Sequence, residues 1–237
     1  MRVIMKNKTG TEFLMGICMV LLVTAVTHYM TKSRPTTGTP ENRQGPVVVI
    51  DAGHGGHDPG KIGINKALEK DINLAIVKKL RYYLENDGVT VILTREEDAG
   101  LYSNSDGNKK QADMRRRCEI IDGSAADLVV SIHQNSYHEE SVKGAQVFYY
   151  KSSLKGQRLA ELVQKRFDFV LGEENRRAIK PNDSYYLLLH TDCPIVIVEC
   201  GFLSNWEEAE RLTDQIYQDE VAWTIYMGIM QYLNEMN

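Results

Sequence analysis

The chain is short of cysteine, of aromatic residues and, outside its first segment, of positive charge. Four cysteines in 237 residues are far too few for a disulfide-stapled scaffold. Only 8% of the residues are aromatic, while 43% are hydrophobic and 25% charged, a balance that excludes collagen-like and disordered chains. No internal repeat divides the sequence, and a single long apolar run excludes a polytopic membrane protein. Five basic side chains against Glu12 give residues 1–34 a charge of +4, so with −4 for the whole chain the remainder sums to −8. Such an acidic body is a poor partner for nucleic acid, which binds through Lys and Arg on its phosphates.

The apolar run is FLMGICMVLLVTAVTHYM, residues 13–30. Arg2, Lys6 and Lys8 precede it, and Lys32 and Arg34 follow. A spanning helix needs about 17–25 residues, and a secretory signal needs a small-residue cleavage site. The best small-residue site, around Thr24 and Ala25, lies inside the run, which favours an uncleaved anchor over residues 1–32 above a cleaved signal. Either reading places the rest of the chain outside the cytoplasm, with the basic N-terminus inside. Residues 33–46, SRPTTGTPENRQGP, bury nothing and read as a linker. Residues 47–237 are then one domain.

Within it, short apolar runs alternate with helical periodicity. Strands are expected at 47–50, 89–93, 128–132, 145–150, 185–189 and 195–198. Helices are expected at 69–85, 111–121, 154–171, 206–212 and 216–233. This alternation predicts an α/β fold, a twisted and mostly parallel sheet with helices on both faces. Chemistry in such sheets gathers beyond the carboxyl ends of the strands.

Four element ends hold reactive side chains: Asp51 to Gly60 after the first strand, Leu68 to Asp71 opening a helix, Ser131 to Asn135, and Glu199 to Phe202. Two imidazoles and a carboxylate with a position left for water suit a catalytic zinc ion; a further glutamate suits a general base. Each residue alone has a plainer reading. Glu69 is a favourable first-turn anion, His133 a turn residue, and Glu199 a buried carboxylate paired with an arginine. Three rivals are weaker. Gly55 to Lys61 nearly matches a phosphate loop, but Ile62 stands where Ser or Thr should hold magnesium. Cys200 as a nucleophile would sit beside a carboxylate, which raises a thiol pKa. A non-catalytic binding module would be free to lose Glu199 or one of the candidate ligands, and here both imidazoles and both carboxylates are present.

The strings VVVIDAGHGGHDPG, LEKDINL, ADLVVSIHQNS and PIVIVECGFLSN, in that order over 47–237, resemble the zinc-dependent N-acetylmuramoyl-L-alanine amidases of bacterial cell walls. The short anchored form is most similar to the spore-cortex and germination type. The resemblance implies one zinc ion on His54, Glu69 and His133, with Glu199 as the catalytic base. It implies Arg117 and Asn135 as substrate-binding positions and peptidoglycan glycan strands and stem peptides as partners. It leaves an activating protein open. The sequence departs from the family pattern at Gln134, Asp122 and His190, of which Gln134, next to His133, bears on substrate fit.

Overall fold

Strands buried on both faces form the centre of the fold. In the computed structural model, which describes residues 45–172 and 175–236, β1 (Val47–Ala52) and β6 (Ile195–Phe202) are buried at every position, as expected for strands covered by helices on both sides. With β2 (Thr90–Leu93), β3 (Leu128–Asn135), β4 (Gln146–Tyr150) and β5 (Lys180–Asn182) they make one six-stranded sheet, ordered β2-β1-β3-β6-β4-β5. Every pairing is parallel except β4 with β6.

Period-two alternation divides the core. Val48, Ile50, Val130 and Val198 face a large cluster built with α1 (Glu69–Asn86), α3 (Leu154–Leu171), α5 (Trp206–Thr213) and α6 (Gln215–Met236). Val49, Val129 and Ile197 face a smaller cluster under α2 (Lys109–Gly123) and α4 (Tyr186–Leu189). The stripe Ile72, Ile76, Leu80 and Leu84 buries one side of α1. Asn108, Ser153 and Asn205 cap α2, α3 and α5, each side chain accepting a first-turn backbone N–H, as N-cap residues do.

Two expectations differ from the structure. Residues 185–189, expected as a strand, form the helical turn α4. Asn182 Oδ1 accepts the N–H groups of Ser184 and Tyr185 at 2.8 Å each and turns the chain before it can extend, and Leu187 and Leu188 then fill the smaller core cluster. A five-residue apolar run does not distinguish a strand from a buried helical turn. The edge strand β5 was not expected; it is three residues long and contains Pro181, which an edge tolerates. The expected anchor at 1–32 and all but the last two residues of the expected linker lie outside the described residues. Among the described residues no helix is long and apolar enough to cross a membrane.

The sheet register prepares the site. Asp51 is paired with Ser131, and His133 with Glu199. All four lie on the face of the smaller cluster, at the carboxyl ends of three adjacent parallel strands. A register irregularity between His133 and Asn135 ends regular pairing there, as bulges beside active sites do.

Candidate active site

His54 leaves β1 on a tight loop, Glu69 opens α1, and His133 ends β3. Their ligand atoms lie within 4.8 Å of one another. His54 Nε2 is 3.1 Å and His133 Nδ1 2.9 Å from the same oxygen, Glu69 Oε1. Asp58 Oδ2 sits 2.9 Å from His54 Nδ1; with Nδ1 donating to this carboxylate, the Nε2 lone pair faces the cluster, and a carboxylate behind the ring is usual for a metal-bound histidine. Glu69 is fixed by backbone donors, Lys61 N–H on Oε2 at 2.7 Å and Gln134 N–H on Oε1 at 3.1 Å. Burial would raise its carboxyl, but the His133 and His54 contacts hold it well below the usual range.

Two glycines make this convergence possible. A Cβ on Gly53 would lie 2.2 Å from His133 Cε1, and one on Gly60 2.5 Å from Glu69 Oε2. Gly60 also adopts φ +67°, a conformation that favours glycine. His54 itself has φ +63°, rare for a residue with a side chain, and such strain persists only where the surroundings over-determine it.

Two buried arginines supply that constraint. Arg117, with a side chain 2% exposed, donates to Asp51 Oδ1 at 2.5 Å, Asp113 Oδ2 at 2.6 Å, Ala52 O at 2.8 Å and His54 O at 2.7 Å. Arg95 donates to Ala52 O at 2.9 Å and Gly53 O at 3.0 Å. Three successive carbonyls of the His54 loop are therefore held by guanidinium groups. Asp51, fully buried, also accepts from Ser131 and Thr94. Burial pushes its carboxyl up, but the Arg117 charge and the hydroxyl donors outweigh this and lower it to about 2. Arg117, expected to bind substrate, lines the cleft described below, with its guanidinium engaged in holding the ligand loop. Removing it leaves Asp51 buried without its cation, so Arg117→Ala should cost about 3–5 kcal/mol of stability. Urea unfolding of the full chain measures this; a loss below about 1 kcal/mol would mean the network adds little.

Glu199 is 8% exposed, and among the described residues its Oε2 has no hydrogen-bond partner. Burial pushes its carboxyl up to about 7; His133 and His54 pull it down and Glu69 adds to the rise. A buried carboxylate oxygen without a partner, beside two imidazoles and an anionic glutamate, is an environment that a bound cation completes. The donors, two nitrogens and an oxygen, suit zinc. The residues present fit the metal.

A cleft of about 600 Å³ opens in front of these groups. His54, His133 and Glu199 line it together with Tyr185, Tyr186 and Leu187 around the α4 turn and with Tyr102, Lys109 and Lys110. Asn135, expected to bind substrate, does not line it; its Oδ1 accepts Ser136 N–H at 2.8 Å. Gln134 points to the opposite face from His133, is buried, and donates to Asn73 Oδ1 at 3.1 Å, so the departure there does not reach the cleft. Cys200 is likewise buried off the cleft, and burial and Glu199 push its thiol far up, which removes it as a nucleophile. Lys61 does not open a helix; the helix begins at Glu69, whose carboxylate occupies its first turn, so no phosphate loop forms. Arg95, Tyr185 and the two cleft lysines went unread in the sequence, because nothing in local spacing distinguishes them.

The family model for N-acetylmuramoyl-L-alanine amidase matches residues 48–231. The chain belongs to the N-acetylmuramoyl-L-alanine amidase family. A germination-specific N-acetylmuramoyl-L-alanine amidase of Bacillus subtilis (strain 168) is 38% identical to this amidase over 194 residues, 81% of each chain. The CwlD amidase of Clostridioides difficile, solved in complex with the GerS lipoprotein, aligns with a TM-score of 0.78 at 43% identity, over 80% of this chain and 99% of that one. The catalytic domain of CwlV, an N-acetylmuramoyl-L-alanine amidase from Bacillus (Paenibacillus) polymyxa var. colistinus, aligns with a TM-score of 0.70 at 33% identity, over 80% and 98%. The amidase thus shares its α/β sheet with enzymes of this activity.

Proposed function

We propose that this amidase is a zinc enzyme that cleaves the amide between the lactyl group of N-acetylmuramic acid and L-alanine in peptidoglycan. We infer that it acts outside the cytoplasm, tethered by residues 1–32, on spore cortex, and together with a protein partner. The similarity to a germination-specific amidase and to CwlD solved with GerS supports the last two points. The observation that carries the reading is the convergence of His54, Glu69 and His133 beside the unpartnered carboxylate oxygen of Glu199.

His54, Glu69 and His133 would hold the ion through two imidazole nitrogens and a carboxylate oxygen. Zinc bound there supplies Lewis acidity toward the carbonyl and toward water. Glu199 takes a proton from the attacking water and returns it to the departing alanine amine, as one group can do on both sides of an acyl transfer. Asp58 keeps the His54 ring in place, and Arg117 and Arg95 hold its loop. Preorganisation of this kind means that little has to move when charge develops.

Purified full-length chain incubated with peptidoglycan should release new L-alanine amino termini. A chelator should abolish the release and added zinc restore it. Undiminished release after complete metal removal would overturn the zinc reading, and cleavage that exposes some other amino end would overturn the bond assignment.

A further inference from the structure

We propose that Lys109 and Lys110 form a carboxylate-binding subsite for the peptide portion of the substrate, which specifies an anionic leaving group. This rests on the amide reading above. The acyl side of that bond is a neutral sugar ether, whereas the amine side is a peptide, and a peptide ends in a carboxylate. The anionic part of the substrate is therefore the part that leaves.

Three observations place its binding site at the start of α2. First, both lysines line the same cleft as His54, His133 and Glu199. Lys109 Nζ lies 5.3 Å over the ring of Tyr102, another cleft residue.

Second, among the described residues neither lysine is locked in a short ion pair, although the charge of Lys110 acts on Asp58. Arg117 is neutralised by Asp51 and Asp113. The nearby carboxylates are in use as well: Asp58 on the His54 ring and Gly60 N–H, and Asp113 on Arg117 and Leu101 N–H. Residues 35–237 carry a net charge of −8 and the cleft lining includes Asp51, Asp58, Asp113 and Glu199, so the two ammonium groups at the start of α2 are where an anionic peptide meets attraction.

Third, the placement is locally unfavourable. Lys109 and Lys110 are the first two residues of α2, whose first turn holds no acidic residue. Cations at a helix N-terminus oppose the macrodipole, and anions there are favoured. A carboxylate docked against the two ammonium groups relieves that conflict and gains from the same helix end.

The test compares full-length wild type with Lys109→Gln/Lys110→Gln on two substrates. One is an N-acetylmuramoyl-L-alanyl peptide with free carboxylates, and the other the same compound with every carboxylate amidated. Two ion pairs of the partly exposed kind amount to about 10-fold in affinity. The double variant should therefore raise KM about 10-fold for the free acid with kcat changed less than about 2-fold, and should leave KM for the amide nearly unchanged. The wild-type preference for the acid should shrink as salt rises. Equal KM changes for both substrates, or none for either, would overturn the subsite. Calorimetric binding of the free L-alanyl peptide separates this from the amidase reading. If wild type cleaves neither substrate yet binds the peptide about 10-fold more tightly than the variant, the activity assignment fails and the subsite stands. Equal peptide binding by the two proteins overturns the subsite whatever the activity. Because both side chains lie at a helix surface, the variant should melt at or slightly above the wild-type temperature.

Discussion

Glu199→Gln should leave the zinc content of the chain near that of wild type while amide hydrolysis falls by about 10²–10⁴-fold, the usual contribution of a general base. The amide keeps the size of the side chain and its capacity to hydrogen-bond, but it cannot take a proton from water at neutral pH. Glu199 is also the site carboxylate with no fixed bond on Oε2, so no structural network is dismantled by the change. Glu69→Gln gives the opposite pattern. Glu69 accepts from two backbone N–H groups and lies against both imidazoles, so loss of its charge should lower zinc content and activity together. Zinc measured on the purified variants, alongside release of L-alanine amino ends, separates the two roles. Glu199→Gln that retains most activity with zinc bound would make Glu199 structural and require another base. Glu199→Gln that loses zinc would make it a ligand.

How much of this site could be read from the sequence depends on how local its determinants are. Strands buried on both faces announce themselves as unbroken apolar runs, so β1 and β6 were legible, as was the amphipathic stripe of α1. The four residues at the centre stand near element ends, which meet in a parallel sheet, but spacing pointed only to a metal-dependent α/β enzyme, and their separate roles came from the family resemblance. What spacing does not carry is which of two faces a residue near a strand end takes. Asn135 and Gln134 stand next to His133 in the chain, but alternation turns Gln134 to the far face and a local backbone bond draws off the Asn135 side chain. Arg117, expected to bind substrate, does line the cleft, but its contacts with Asp51 and His54 O, 66 and 63 residues away, are not carried by local spacing. Arg95 was missed for the same reason. Tyr185 and Tyr186 were assigned to a strand, and only the Asn182 turn, a side-chain to backbone contact, converts them into part of the cleft lining.

The ligand assignment predicts graded behaviour. Wild-type chain should hold about one zinc ion, and His54→Ala, Glu69→Ala and His133→Ala should each hold close to none after dialysis, with hydrolysis falling below detection. The loss is large because a three-ligand protein site that loses one donor has only two left against competing water. Asp58→Asn should be milder. It removes the anion behind His54 Nδ1 but leaves all three ligands, and changes of that kind cost about 10–100-fold in metal affinity. A readout independent of turnover is thermal unfolding. An ion that binds only the folded chain adds RT ln(1 + [Zn]/Kd), about 4 kcal/mol at a thousandfold excess over Kd. Added zinc should therefore raise the melting temperature of wild type, raise that of Asp58→Asn less at the same concentration, and leave the three ligand variants where they were. If the alanine variants melt like wild type and respond to zinc as it does, the ion sits elsewhere and the convergence on Glu69 Oε1 is a hydrogen-bonded cluster of the fold.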